Sequence, residues 1–219
     1  MGRSNDARHT DRTDSEQAAE LSLRTKWEYN NTGYVILGML IERLTGHAWG
    51  DEIETRFTRP FGLTSTRNCL ASPVIPHRAH GYERENNGWI NTPYLEMTQP
   101  YAAGAMCSTI GDLITWNRAL HNGKIVSPAS YTLMTTPAGA ATTGALKYGF
   151  GLGRDTIAGR TIITHGGGIP GFITGNAYVP SAQLSITVLA NGGRARSGEL
   201  LDQLVRAALG VGFKPTPMH

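Results

Sequence analysis

Cysteine is scarce in this chain. Only Cys69 and Cys107 occur among 219 residues, and they form no C-x-x-C pair. The spacing therefore suggests neither a zinc site nor a disulfide scaffold. H-E-x-x-H is missing as well, and no metal or other cofactor is expected. Long apolar runs are absent. The longest, residues 34–41, falls far short of the roughly 20 residues that a membrane-spanning helix needs. The first residues are polar and carry no apolar segment of the signal-peptide kind. Strong charge is lacking too. The net charge is +3, the isoelectric point is near 9.0, and no Lys/Arg run marks a nucleic-acid partner. What remains, 40% hydrophobic and 17% charged residues, suits a packed soluble core of one large domain or two small ones. No internal repeat is visible.

The stretch 161–172, TIITHGGGIPGF, organises the rest. Thr161, Ile162, Ile163 and Thr164 are all β-branched and favour a strand. That strand delivers His165 and the bare backbone of Gly166, Gly167 and Gly168, which a ligand can approach closely. Pro170-Gly171 then turns the chain into a second strand over residues 172–179. Two familiar motifs overlap here and both fail. Gly166, Gly168 and Gly171 fit G-x-G-x-x-G, but that fingerprint must open a helix, and here a proline and a strand follow. His165 to Gly168 matches an HGGG oxyanion loop, but its G-x-S-x-G partner occurs nowhere in the chain.

In chain order, residues 1–20 hold almost no apolar side chains and are expected to be disordered, or a loose helix over 14–23. Asn31 or Thr32 is placed to cap a helix on which Tyr34, Leu37, Ile41 and Leu44 recur, ending at Gly46. A second helix fits residues 48–58. Residues 64–100 are loop-rich and shaped for a binding site, with Trp89, Tyr94 and Tyr101 available to line a pocket. His77 and His80 lack a third metal ligand nearby. Thr109 and Asp112 suggest a capping box before a helix with Leu113, Trp116 and Leu120 on its buried stripe. Ser127-Pro128 starts another helix. Strands are expected over 147–153, at 156–157, over 160–164 after a tight Ala158-Gly159 turn, and over 184–191. Leu200, Leu201, Leu204, Val205 and Ala208 share one face of a final helix over 197–209. Helices followed by strands and a last helix imply an α+β fold with an antiparallel sheet.

Two of these signals combine. Residues 26–34, KWEYNNTGY, resemble the Tyr-x-Asn motif of the serine β-lactamase-like family, which includes class C β-lactamases, D-alanyl-D-alanine peptidases and related esterases. Thr164-His165-Gly166-Gly167 resembles its Lys/His-x-Gly motif. Residues 103–120 and 148–153 are similar to the family too, and motif order agrees from residue 26 to 209. The resemblance implies a proton-transfer role for Tyr29 and a hydrogen bond from Asn31 to a substrate amide. It also implies a donor or positive charge from His165 toward a substrate carboxylate, and an oxyanion-hole N–H from Gly168. Gly166, Gly167, Trp89 and Tyr94 are candidate substrate-binding residues. Members of the family are typically periplasmic or secreted, some esterases being cytoplasmic.

The family's first motif is missing. No Ser or Thr has Lys three residues later, so the Ser-x-x-Lys nucleophile is absent. The expectation is the C-terminal part of a family domain: a leader of non-native type over 1–24, a mainly helical part over 25–140, and sheet plus C-terminal helix over 147–219. Three readings stand: a hydrolase acting on an amide, β-lactam or small ester through an acyl-enzyme, inactive as this chain; a non-catalytic ligand-binding module; or a non-functional truncation. The uncharged strand over 184–191 is also expected to leave an open sheet edge available for self-association.

Overall fold

The computed structural model describes residues 26–70, 72–86, 88–143 and 147–213. The expected leader lies outside the described residues. The helical part opens with α1, Asn31–Thr45. Its cap is Asn30, one residue earlier than the sequence pattern suggests. The Asn30 Oδ1 accepts the Thr32 N–H at 2.6 Å, which leaves Asn31 inside the first turn. Gly46, with φ 75°, ends the helix. Gly38 is its one buried residue, because a Cβ there would collide with Ala102 and come within 2.8 Å of the Tyr101 ring. That close approach sets the middle of α1 against the turn Tyr101–Ala103.

Helix α2, Trp49–Ile53, runs on into a wider π turn, Glu54–Thr58, so the expected 48–58 helix is present with an under-wound end. Two-residue strands β1, Arg67–Asn68, and β4, Met106–Cys107, pair so that Arg67 faces Cys107. This overturns the expectation from cysteine spacing. Cys69 and Cys107 form a disulfide with their Cα atoms 5.4 Å apart. The register of two distant strands makes the bond, and linear spacing carries no trace of it. Closing a loop of 38 residues contributes about 4 kcal/mol on a chain-entropy account. Around it, Trp49, Cys69, Met97 and Ala105 form a small core.

Strands β2, Tyr82–Glu85, and β3, Gly88–Asn91, form a hairpin in the loop-rich region. Helix α3, Ile110–His121, is capped by Thr109, whose Oγ1 accepts the Asp112 N–H at 3.3 Å. The box is only half formed. The Asp112 carboxylate turns away to the Ser65 N–H and the Thr66 hydroxyl, both at 2.8 Å. Helix α4, Pro128–Thr135, starts at Ser127 as its proline indicates.

Five antiparallel strands follow in sequence order: β5, Lys147–Tyr148; β6, Gly153–Ile157; β7, Arg160–Ile169; β8, Phe172–Val179; and β9, Leu184–Ala190. The single strand expected over 147–153 is broken. The Phe150 N–H turns to the Met134 carbonyl and Gly151 adopts φ 77°. Ala158 and Gly159, both at positive φ, make the tight turn between β6 and β7. Strand β7 does not end at its β-branched residues. It carries on through the glycines because β8 pairs with it from Ile163↔Tyr178 to Ile169↔Phe172. Helix α5, Ser197–Ala208, covers one face of the sheet. Its Leu201 and Val205 pack on Ile157, Ile162, Ala177, Val179 and Val188. Leu200 and Leu204 stay half exposed. Among the described residues β9 pairs only with β8.

Candidate active site

The cleft is made where β7 outruns β6. Their pairing stops at Gly153↔Thr164, so from His165 to Ile169 the strand has β8 on one side and, among the described residues, no strand on the other. Alternate N–H and C=O groups of such a half-paired strand point to the open side. The start of α1 and the 100–104 turn face this edge. Together they enclose about 650 Å³, lined by Tyr29, Asn31, Pro100, Ala103, Gly104, Tyr148, Gly153, Thr164 and residues 165–169.

Six residues singled out from sequence meet here: Tyr29, Asn31, His165, Gly166, Gly167 and Gly168. The Tyr29 and His165 rings lie 6.2 Å apart, centroid to centroid. Trp89 and Tyr94 do not line the cleft. Trp89, on β3, is 63% exposed and rests over Gly192. Tyr94 packs edge-on to His80 beneath the Arg78 guanidinium, 4.6 Å from the ring centre. The β2–β3 hairpin is held off by its docking. Glu83 accepts the Gly171 N–H at 3.2 Å and Tyr82 accepts the Gly193 N–H at 2.9 Å.

One cleft residue escaped sequence reasoning. Tyr148 stacks on Trp27, meets Tyr29 edge-on, and sets its hydroxyl 2.8 Å from His165 Nε2. Its strand alternation was visible, but nothing local signals a partner 17 residues away. Burial, reinforced by Tyr34 and Tyr29 nearby, pushes the Tyr148 hydroxyl well above the usual phenol range. The other ring nitrogen of His165, Nδ1, lies 2.5 Å from the Gly166 carbonyl. Of the lining side chains, only His165 can carry a positive charge. The Thr164 hydroxyl, the one aliphatic hydroxyl in the lining, donates to the Asn176 carbonyl at 2.8 Å. Among the described residues no cluster of three His, Cys, Asp or Glu side chains is placed to hold a metal ion, and no helix is long and apolar enough to cross a membrane.

The arrangement offers backbone donors and acceptors along an open strand edge, a phenol, an amide and an imidazole. Comparison with known proteins identifies the family. The family described as Beta-lactamase matches residues 4–210. Penicillin-binding protein 4* of Bacillus subtilis (strain 168) is 33% identical over 166 residues, which cover 68% of this chain and 36% of that protein. A D-aminopeptidase of Gluconobacter oxydans (strain 621H) is 24% identical over 192 residues, 87% of this chain and 36% of that protein. Among solved structures, a D-stereospecific amidohydrolase from Streptomyces sp. superposes with a TM-score of 0.74 at 27% identity, over 86% of this chain and 56% of that one. The chain thus spans well under half the length of these curated relatives.

Proposed function

The chain belongs to the beta-lactamase family, and from that membership we propose that its cleft is the acyl-binding part of a serine-hydrolase site. Its ligands are amides of the D-amino-acid type, β-lactams or small esters. As this chain it binds them without turnover. The observation that carries the reading is the convergence of Tyr29, Asn31 and the open edge of β7 on one cleft. A substrate laid along residues 165–169 meets main-chain groups on that edge, as an added strand would. Asn31 hydrogen-bonds its amide. The Gly168 N–H stabilises the developing oxyanion, a contribution of about 3–4 kcal/mol per donor in comparable sites. Tyr29 stands where a proton moves between nucleophile and leaving group. His165 lies toward a ligand carboxylate, and Gly166 and Gly167 leave the edge bare. Trp89 and Tyr94 fall outside this reading because they stand away from the cleft.

Among the described residues lining the cleft, no serine accompanies these groups. The sequence contains no Ser-x-x-Lys, and Thr164 is tied to Asn176. Loss of the nucleophile from a serine hydrolase costs about 10⁶ in kcat. The test is incubation with a fluorescent penicillin and with a p-nitrophenyl ester, followed by intact-mass analysis and steady-state kinetics. Reversible binding without adduct or turnover is expected. A stoichiometric adduct on a serine, or kcat above roughly 1 s⁻¹, would overturn the claim of inactivity. Absence of binding would overturn the claim that the cleft holds acyl ligands.

A further inference from the structure

Hydrogen-bond direction around His165 follows from donor and acceptor inventory. The Gly166 carbonyl can only accept, so the Nδ1 facing it at 2.5 Å carries the hydrogen. In a neutral ring Nε2 then has a lone pair and must accept. The Tyr148 hydroxyl, 2.8 Å away, is the donor. Tyr148 has one hydrogen, and it is now used. The hydroxyl groups of Tyr34 and Tyr148 both have their pKa raised, burial being the leading cause, which keeps both protons in place. Among the described residues no carboxylate pairs with the His165 ring to favour its charged form.

We infer that Tyr148 is the positioning residue of His165 and that its hydroxyl holds the imidazole as its Nδ1–H tautomer. The chain runs from the Tyr148 hydroxyl to His165 Nε2, and from Nδ1–H to the Gly166 carbonyl. It ties β5 to the glycine edge of β7. In this state both ring nitrogens are engaged, and His165 offers the cleft no free N–H. The consequence for ligand recognition rests on reading this cleft as an acyl-binding site. A ligand in that cleft meets a ring whose two nitrogens are already engaged, so it hydrogen-bonds to His165 only by displacing the Tyr148 hydroxyl.

The test uses the full chain labelled with ¹⁵N-histidine, read by long-range ¹H–¹⁵N correlation near pH 8.5, about two units above the ordinary imidazole pKa. His165→Gln assigns the signal among the seven histidines. The expected wild-type pattern is a protonated Nδ1 and a bare Nε2. Tyr148→Phe removes the donor and shifts His165 toward the Nε2–H form, which free imidazole side chains prefer in water. Tyr34→Phe leaves the Tyr148 hydrogen on Nε2 and keeps the Nδ1–H pattern. A wild-type Nε2–H pattern overturns the inference without any variant, whatever the folding of the mutants. An unchanged Nδ1–H pattern in folded Tyr148→Phe overturns it as well. The readout requires no turnover, adduct or ligand, so its failure is separate from failure of the hydrolase reading.

Discussion

Asn117 is 1% exposed on α3 and faces the middle of the sheet. Its amide pairs reciprocally with that of Asn176 on β8. The Asn117 Nδ2 donates to Asn176 Oδ1 at 2.8 Å, and the Asn176 Nδ2 returns a bond to Asn117 Oδ1 at 3.0 Å. The Thr187 hydroxyl of β9 adds a third bond to Asn176 Oδ1 at 2.7 Å. Asn176 also lies opposite His165 in the β7–β8 register, so the network fixes the strand that carries the cleft edge. Asn117→Ala strands the Asn176 Nδ2, a penalty of about 1–3 kcal/mol, and opens a small void besides. A total near 3 kcal/mol is expected. Asn176→Ala strands both ends of the Asn117 amide and the Thr187 hydroxyl, for about 3–5 kcal/mol on the same reasoning. The double variant leaves only Thr187 unpaired. Its cost should resemble that of Asn176→Ala alone, giving a coupling of about 2–3 kcal/mol, within the range for residues sharing a network. Urea unfolding followed by circular dichroism measures all four corners of the cycle. In a domain of this size, 3 kcal/mol lowers Tm by roughly 6–12 °C. The reasoning is refuted if Asn117→Ala costs under about 1 kcal/mol, or if the two single costs add within about 0.5 kcal/mol.

Burial lowers the His121 pKa to about 4; its ring stacks on Tyr178 at 3.8 Å and its Nδ1 lies in hydrogen-bond distance, 2.7 Å, of the Tyr131 hydroxyl. The fold favours the neutral ring, so this contribution is complete above the ordinary value near 6.5 and is lost as pH falls from there toward 4. The unfolding midpoint of wild type should therefore drop more between pH 7 and 4.5 than that of His121→Phe, and parallel drops would refute the assignment. At the sheet edge, β9 is uncharged and free of proline, and a free edge of that kind invites pairing with a second copy. Light scattering should show concentration-dependent dimers that Ser185→Lys suppresses; a wild-type monomer whose β9 amides all exchange as slowly as those of Ile162 and Ile163 would show the edge to be covered.

What the sequence discloses divides by range. The caps, turns and strand alternation depend on neighbours within a few residues, and β8, α4, α5 and the Ala158-Gly159 turn stand where those local signals put them. The cleft residues Tyr29, Asn31 and His165 were legible because each sits in a short motif. Errors arise where a distant partner decides. Asp112 leaves its capping box for Ser65 and Thr66, and Cys69 finds Cys107 only through the β1–β4 register. The glycines are the instructive case. Taken alone, Gly166, Gly167 and Gly168 indicate loop, since bare backbone weakens a strand. The ladder to β8 overrides that preference, and β8 also asks for glycine. A Cβ at position 166 would lie 3.2 Å from the Thr174 carbonyl, and one at 167 would lie 3.0 Å from the Thr174 hydroxyl. One run of residues thus satisfies two demands, close packing against β8 and a bare edge toward the cleft. Local propensity registers neither, because both are set by chains that approach from elsewhere in the fold.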